Sequence, residues 1–199
     1  MTSRYDAIVL AGGRGARLGG TAKPQLSVGD ATMLDRVLAA VGTAGTRVVV
    51  GPPQSVPAGV VRVQEQPPGS GPVAGLAVGL ARASAGIVVV VAADLPFLSA
   101  EVIEPLLSTL DSQPATDAVL LVDEKGRDQN LLGAWRVGPL RTALAELGPL
   151  PGRAMKDLVR ALRVSRVEGI AAQDAPAPWT DVDTQADLDR VRDWLRPTT

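Results

Sequence analysis

The sequence predicts an α/β protein: one domain of three layers, built on a mainly parallel sheet. Three observations carry this. Short runs of β-branched and aliphatic residues recur along the 199-residue chain, continuous rather than alternating, as in strands covered on both faces. Stretches of helical periodicity fall between them, and alternation of strand and helix from end to end marks a parallel sheet with crossover helices. A hydrophobic content of 46% suits a single core, and no Gly/Pro cluster is long enough to link two domains, so residues 1–199 read as one unit.

In chain order, strands are expected at Ala7–Leu10, Arg47–Val50, Val60–Val63, Ile87–Val91 and Ala118–Val122. The first helix is expected over Thr32–Val41, with Met33, Leu34, Val37, Leu38 and Val41 on one stripe. A small-residue helix follows at Gly75–Ala83. Ser99–Leu110 has Ser99 as its N-cap and an apolar stripe from Val102 to Leu110. Shorter helices are expected at Pro139–Leu147 and Ala154–Leu162, and the last at Thr184–Leu195, where "TQAD" reads as a capping box. Gly and Pro cluster at 51–59, 67–72, 148–152 and 175–178, which are loops.

Composition then narrows the function. Net charge is −1 and aromatic content 3%, so neither a basic field nor a stacking platform for nucleic acid is expected. The chain contains no cysteine and no histidine, which removes thiolate chemistry, Ser-His-Asp triads and most zinc sites. Catalysis must rest on Asp, Glu, Lys, Arg, hydroxyls, backbone amides or a hard cation. No run approaches the ~18 apolar residues of a membrane span. The apolar run Tyr5–Ala11, interrupted by Asp6, is too short for a signal peptide, so a cytoplasmic location is expected.

The stretch "AIVLAGGRGARLGGTAKPQL" (residues 7–26) concentrates the chemistry, with five glycines, two arginines and one lysine behind an apolar strand. A dinucleotide fingerprint from Gly13 fails, because Leu18 stands where the third glycine is needed. A phosphate-binding P-loop fails as well, because Ala22 and Pro24 flank Lys23. A tight turn explains one or two glycines, but not five with Arg14, Arg17 and Lys23 beside them. A polyanion explains the set: glycines let backbone N–H groups approach phosphate oxygens, which Arg and Lys neutralise. Ligands of parallel sheets bind beyond the C-terminal strand ends. The loop after Leu10, Asp94 after the fourth predicted strand, and the acidic pair Asp181/Asp183 should therefore meet.

Four ordered motifs resemble those of small nucleotidyltransferases, and are most similar to the molybdenum cofactor guanylyltransferases, the MobA family. They are "LAGGRGARLGGTAK" (10–23), "PPGSGPVAGL" (67–76), "VVVVAADLPFL" (88–98) and "WTDVDTQADL" (179–188). The resemblance implies a Rossmann-like three-layer α/β domain whose N-terminal half binds the nucleotide and whose C-terminal half faces the acceptor. It implies that Leu10, Ala11 and Gly12 line the nucleotide. Gly13, Gly15 and Arg17 would cradle the phosphates, with Lys23 paired to them. Glu65 would be a nucleotide contact. Asp94 would hold Mg²⁺, with Asp183 as a second carboxylate. Gln129, Asn130, Arg153 and Lys156 are the candidates for the acceptor side. GTP and molybdopterin would be the substrates, and molybdenum-insertion proteins and molybdoenzyme apoproteins the further partners.

Some residues of these motifs also have a plainer reading. Asp183 or Thr184 can cap the last helix, and Arg14 can be a solvated loop charge; Asp94 could cap the helix that follows it, but Ser99 is placed for that task. Gly69 and Gly71 permit a sharp turn, with Pro72 at the first helical position. That helix N-terminus can hold an anion of either substrate or simply pack closely. The missing histidine is no obstacle, since a phosphomonoester with a second pKa of about 6 is already a nucleophilic dianion at neutral pH. The rival readings are a CTP-dependent relative, a transferase acting on another small phosphate, and a non-catalytic protein that delivers the cofactor.

Overall fold

The apolar run that opens the chain forms β1 (Tyr5–Leu10), buried at every residue in a computed structural model that describes residues 3–12, 17–18, 21–169 and 175–196. At Arg17, Leu18 and Thr21 only the backbone is described. Two short ladders follow: β2 (Arg17–Leu18) with β3 (Thr21–Ala22), then β4 (Ser27–Val28) with β5 (Ala31–Thr32). Between them Lys23–Gln25 makes one 3₁₀ turn, with Pro24 supplying its fixed φ. The chain continues through α1 (Met33–Ala40), β6 (Arg47–Val50), β7 (Val60–Val63), α2 (Pro72–Leu80), β8 (Ile87–Ala92), α3 (Ala100–Ser112), β9 (Ala118–Val122) and β10 (Asp128–Arg136). It ends with α4 (Val137–Glu146), α5 (Met155–Arg160), β11 (Val164–Glu168) and α6 (Gln185–Trp194).

Seven strands form one sheet in the order β11-β9-β10-β8-β1-β6-β7. Only β10 runs against the others, pairing antiparallel with both β8 and β9. The side-chain period of two divides the core between the faces. Ala7 and Val9 of β1 pack with α1 and α3 in one cluster; Ile8 and Leu10 pack with α2, α4 and α5 in the other. These are the three predicted layers of an α/β fold.

All five expected strands and six expected helices are present, with boundaries moved by a few residues. Three expectations need correction. β7 is not covered on both faces, because it is the sheet edge and its residues are half-buried or exposed. No strand is expected over Gln129 and Asn130, yet they lie in β10, whose polar start conceals the buried run Leu132–Trp135. Ser99 occupies the N-cap position of α3, but its side chain makes no capping bond there. Ser99 therefore does not free Asp94 from capping, and Asp94 is defined by its contacts instead.

Candidate functional site

Most of the described candidate residues line the C-terminal edge of the parallel strands. Ala11 N–H donates to Val50 O at 2.7 Å and Ala93 N–H to Leu10 O at 3.0 Å, so the chains leaving β6, β1 and β8 stay stitched past the sheet. Leu10 and Ala11 are buried there, and Gly12 is exposed. The close approach fixes Gly51: a Cβ on it would stand 2.9 Å from the carbonyl carbon and oxygen of Ala11. In the sequence the segment after β6 reads only as the loop 51–59, with no contact assigned to it. Its signal was a glycine immediately after a buried strand.

Lys23 reaches this edge from the 3₁₀ turn. Its Nζ donates to Asp94 Oδ2 at 2.7 Å and to Asp183 Oδ1 at 2.6 Å, joining residues from three distant parts of the chain. The Lys23 side chain is 9% exposed, that of Asp94 25% and that of Asp183 69%, so the site opens on the Asp183 side. Burial acts to lower the Lys23 pKa, but the hydrogen bonds it donates to Asp183 and Asp94, and their charges, outweigh it and hold the ammonium above its ordinary value. Thr184, not Asp183, caps α6: its side chain accepts from Asp187 N–H while the Asp187 carboxylate answers the Thr184 backbone. The Asp183 carboxylate is thereby left for Lys23. Asp181 is exposed by area, yet desolvation in the cleft raises its pKa, with the charges of Asp183 and Asp94 adding to the effect and Lys23 opposing it. Its carboxylate makes no side-chain hydrogen bond among the described residues.

The predicted nucleotide contact Glu65 is buried just beyond β7. Its Oε1 accepts from Gly69 N–H at 2.9 Å, bracing the turn into α2. That turn needs Gly71, the N-cap of α2 at φ 93°, with Pro72 following as predicted. On the other flank the start of β10 brings Gln129 and Asn130 to the same edge, beside a register break between Gln129 and Gly133. Breaks of this kind re-aim side chains. Gln129 donates to Asp123 Oδ2 at 3.2 Å and Asn130 to Asp128 O at 3.3 Å.

Asp123 was missed by sequence reading. It is buried beyond β9 and accepts from Lys125 N–H, Arg127 N–H, Arg127 Nε and Gln129 Nε2, closing a tight hairpin through Gly126 at φ 73°. An Asp three residues before a glycine is the turn signal that marks it. Arg153 and Lys156 lie elsewhere. Gly152 N–H binds Ser70 O at 2.8 Å, which seats the Arg153 loop on the turn before α2. The exposed Arg153 holds Leu147 O and Pro149 O, and Lys156 is exposed on α5. Gly13, Arg14 and Gly15 lie outside the described residues, as does the side chain of Arg17.

Asp94 and Asp183 are hard oxygen donors, and each keeps one oxygen free of hydrogen bonds among the described residues. Two carboxylates is the number magnesium uses beside phosphate and water ligands. No cluster of three or more His, Cys, Asp or Glu side chains forms a closed metal cage among the described residues, and no described helix is long and apolar enough to cross a membrane.

Comparison with known proteins bears on this site. Residues 7–167 match the family model of the MobA-like NTP transferase domain; Asp181 and Asp183 lie beyond that span. A molybdenum cofactor guanylyltransferase of Acidiphilium cryptum (strain JF-5) is 31% identical over 200 residues, covering 94% of this chain and 93% of that protein. One from Cupriavidus metallidurans is 31% identical over 137 residues, 65% of this chain and 68% of that protein. Among solved structures, molybdopterin-guanine dinucleotide biosynthesis protein A from Archaeoglobus fulgidus has a TM-score of 0.73 at 21% identity, covering 94% of this chain and 97% of that one. A 2-C-methyl-D-erythritol 4-phosphate cytidylyltransferase from Thermus thermophilus has a TM-score of 0.69 at 22% identity, covering 97% and 98%. At these identities the two structures establish the fold.

Proposed function

The chain belongs to the MobA-like NTP transferase family and is a nucleotidyltransferase; we propose that it transfers GMP from GTP to the terminal phosphate of molybdopterin, releasing pyrophosphate and forming the guanine dinucleotide cofactor. The observation that carries this reading is the buried Lys23 ammonium held between Asp94 and Asp183 at the C-terminal strand edge. The two relatives named molybdenum cofactor guanylyltransferase support the choice of guanine and of molybdopterin.

In this reading the backbone of Leu10–Gly12 lines the nucleotide, and Glu65, fixed by Gly69, contacts it from the β7 side. Lys23 binds phosphate oxygens, aided by Arg17 and the Gly13–Gly15 loop. Asp94 and Asp183 would hold a magnesium ion, which supplies charge neutralisation for the phosphates and the departing pyrophosphate. An acceptor oxygen attacks the α-phosphorus as the bond to the β-phosphate bridging oxygen breaks. The acceptor phosphate is already ionised near neutral pH, so no residue is needed to remove its proton. The protein's contribution is alignment and fixed charge. Gln129 and Asn130, on the β10 flank, are suited to orient the acceptor; Arg153 and Lys156 would meet it from the α5 side. The reaction is assigned to the cytoplasm.

The test is pyrophosphate release with GTP or CTP, with and without molybdopterin and Mg²⁺. Release that requires GTP, molybdopterin and Mg²⁺ together is expected. Release with CTP alone would overturn the guanine assignment, and release with a sugar phosphate replacing molybdopterin would overturn the acceptor. Tight GTP binding with no turnover would point to a delivery protein.

A further inference from the structure

A third hydrophobic cluster stands apart from the two that sandwich the sheet. Its buried members are Val28, Met33, Val182, Leu188 and Val191, with Leu26, Phe97 and Leu195 packed against them. None belongs to the seven-stranded sheet, and each corner of the Lys23–Asp94–Asp183 triangle adjoins one member. Leu26 N–H closes the 3₁₀ turn onto Lys23 O at 3.1 Å. Phe97 lies three residues after Asp94. Val182 is fully buried between the exposed Asp181 and Asp183, so this segment sends its apolar side chain inward and its carboxylates outward. Polar ties complete the unit: Met33 N–H to Leu26 O at 3.2 Å, Arg36 Nε to Val28 O at 3.1 Å and Arg192 Nε to Ser27 O at 3.0 Å. The buried residues of α6, Leu188 and Val191, both belong to this cluster, so among the described residues this cluster is the core that holds α6.

We propose that Leu26, Phe97 and Val182 are positioning residues: through this satellite core they set where the Lys23 ammonium meets Asp94 and Asp183. Contacts of 2.6 and 2.7 Å are lost by a displacement of about 1 Å, which a loosened small cluster permits more readily than a close-packed sheet core. The consequence for catalysis rests on the reading of Lys23 as a phosphate ligand; the positioning itself does not.

The experiment follows the ammonium directly. In ¹⁵N-lysine-labelled protein the exchange of Lys23 Nζ hydrogens with water is measured by NMR, with the exposed Lys125 and Lys156 as references. Lys23 should exchange more slowly than both. Val182→Ala and Asp183→Asn should each speed it about tenfold by easing local opening, and the double variant should exchange no faster than Asp183→Asn alone. Leu26→Ala should reproduce Val182→Ala, while Leu140→Ala, a truncation in the core under α4, should leave Lys23 unchanged. Exchange unaltered in Val182→Ala and Leu26→Ala, or equally accelerated in Leu140→Ala, would overturn the proposal. A wild-type chain that fails to bind GTP would sink the functional reading and leave the exchange result to decide the positioning.

Discussion

Asp6 near the start of β1 and Asp94 two residues past the end of the neighbouring parallel strand β8 stand at opposite edges of the sheet. Asp6, fully buried at the N-terminal edge, accepts from Thr46 N–H at 2.7 Å, Ser84 N–H at 2.6 Å, Ala85 N–H at 2.8 Å and Ser84 Oγ at 3.3 Å. Asp94, just past the C-terminal edge, is held among the described residues by a single side chain, Lys23. Backbone donors cannot leave; a lysine can exchange one anion for another. A saturated carboxylate fastens loops together, whereas one with a spare oxygen and a replaceable cation is available to a ligand.

The largest effect expected from that contrast is on turnover. Lys23→Ala should lower pyrophosphate release by about 10²–10³-fold, the usual loss when one fixed charge-stabilising donor is removed, with a smaller change in the urea midpoint than Asp6→Ala brings. The reverse pattern is expected of Asp6→Ala: three backbone N–H groups lose their acceptor, at a cost of about 3 kcal/mol in urea unfolding, while the folded fraction keeps its turnover. Burial opposes ionisation of Asp6, but the bonds from Ala85, Ser84 and Thr46 prevail and hold its pKa below the ordinary value. Its contribution is present at neutral pH and is lost as pH falls below the ordinary carboxylate range.

A smaller loss, about 1 kcal/mol, is expected for Thr184→Ala, which removes the α6 cap. Asp187, bonded to the Thr184 side chain and backbone, titrates at about 2 instead of 3.8. The cap's stability is therefore complete above the ordinary value and vanishes as pH falls towards 2, a loss that circular dichroism of wild type against Thr184→Ala detects. The smallest effect has the opposite sign. Folding raises the pKa of Asp181, so its ionised form subtracts stability at neutral pH. Asp181→Asn should raise the melting temperature slightly, and the gain should shrink as pH falls through the raised pKa.

The sheet was largely legible because continuous aliphatic runs such as Ile87–Val91 have few alternatives to a doubly covered strand. β10 was not, because Asp128, Gln129 and Asn130 carry no strand signal, and only pairing with β8 and β9 makes them one. β11 hides for the same reason: its residues are half-buried or exposed at a sheet edge. Within the site, Lys23, Asp94 and Asp183 stood out as candidates because each lies in one of three of the four ordered motifs. That Thr184 rather than Asp183 serves the cap depended on side-chain directions, which spacing alone leaves open. Gly51 and Asp123 escaped because their tasks, a backbone crossing and a satisfied turn, exist only once distant strands are side by side.

Equilibrium binding of GTP with Mg²⁺ to wild type and to Lys23→Ala, without acceptor, tests most directly whether this edge of the sheet is the triphosphate site. Saturable binding by wild type is expected, with a loss of affinity of about tenfold or more in the variant, as for a buried charge-assisted contact. Equal affinity in the two proteins would contradict that assignment.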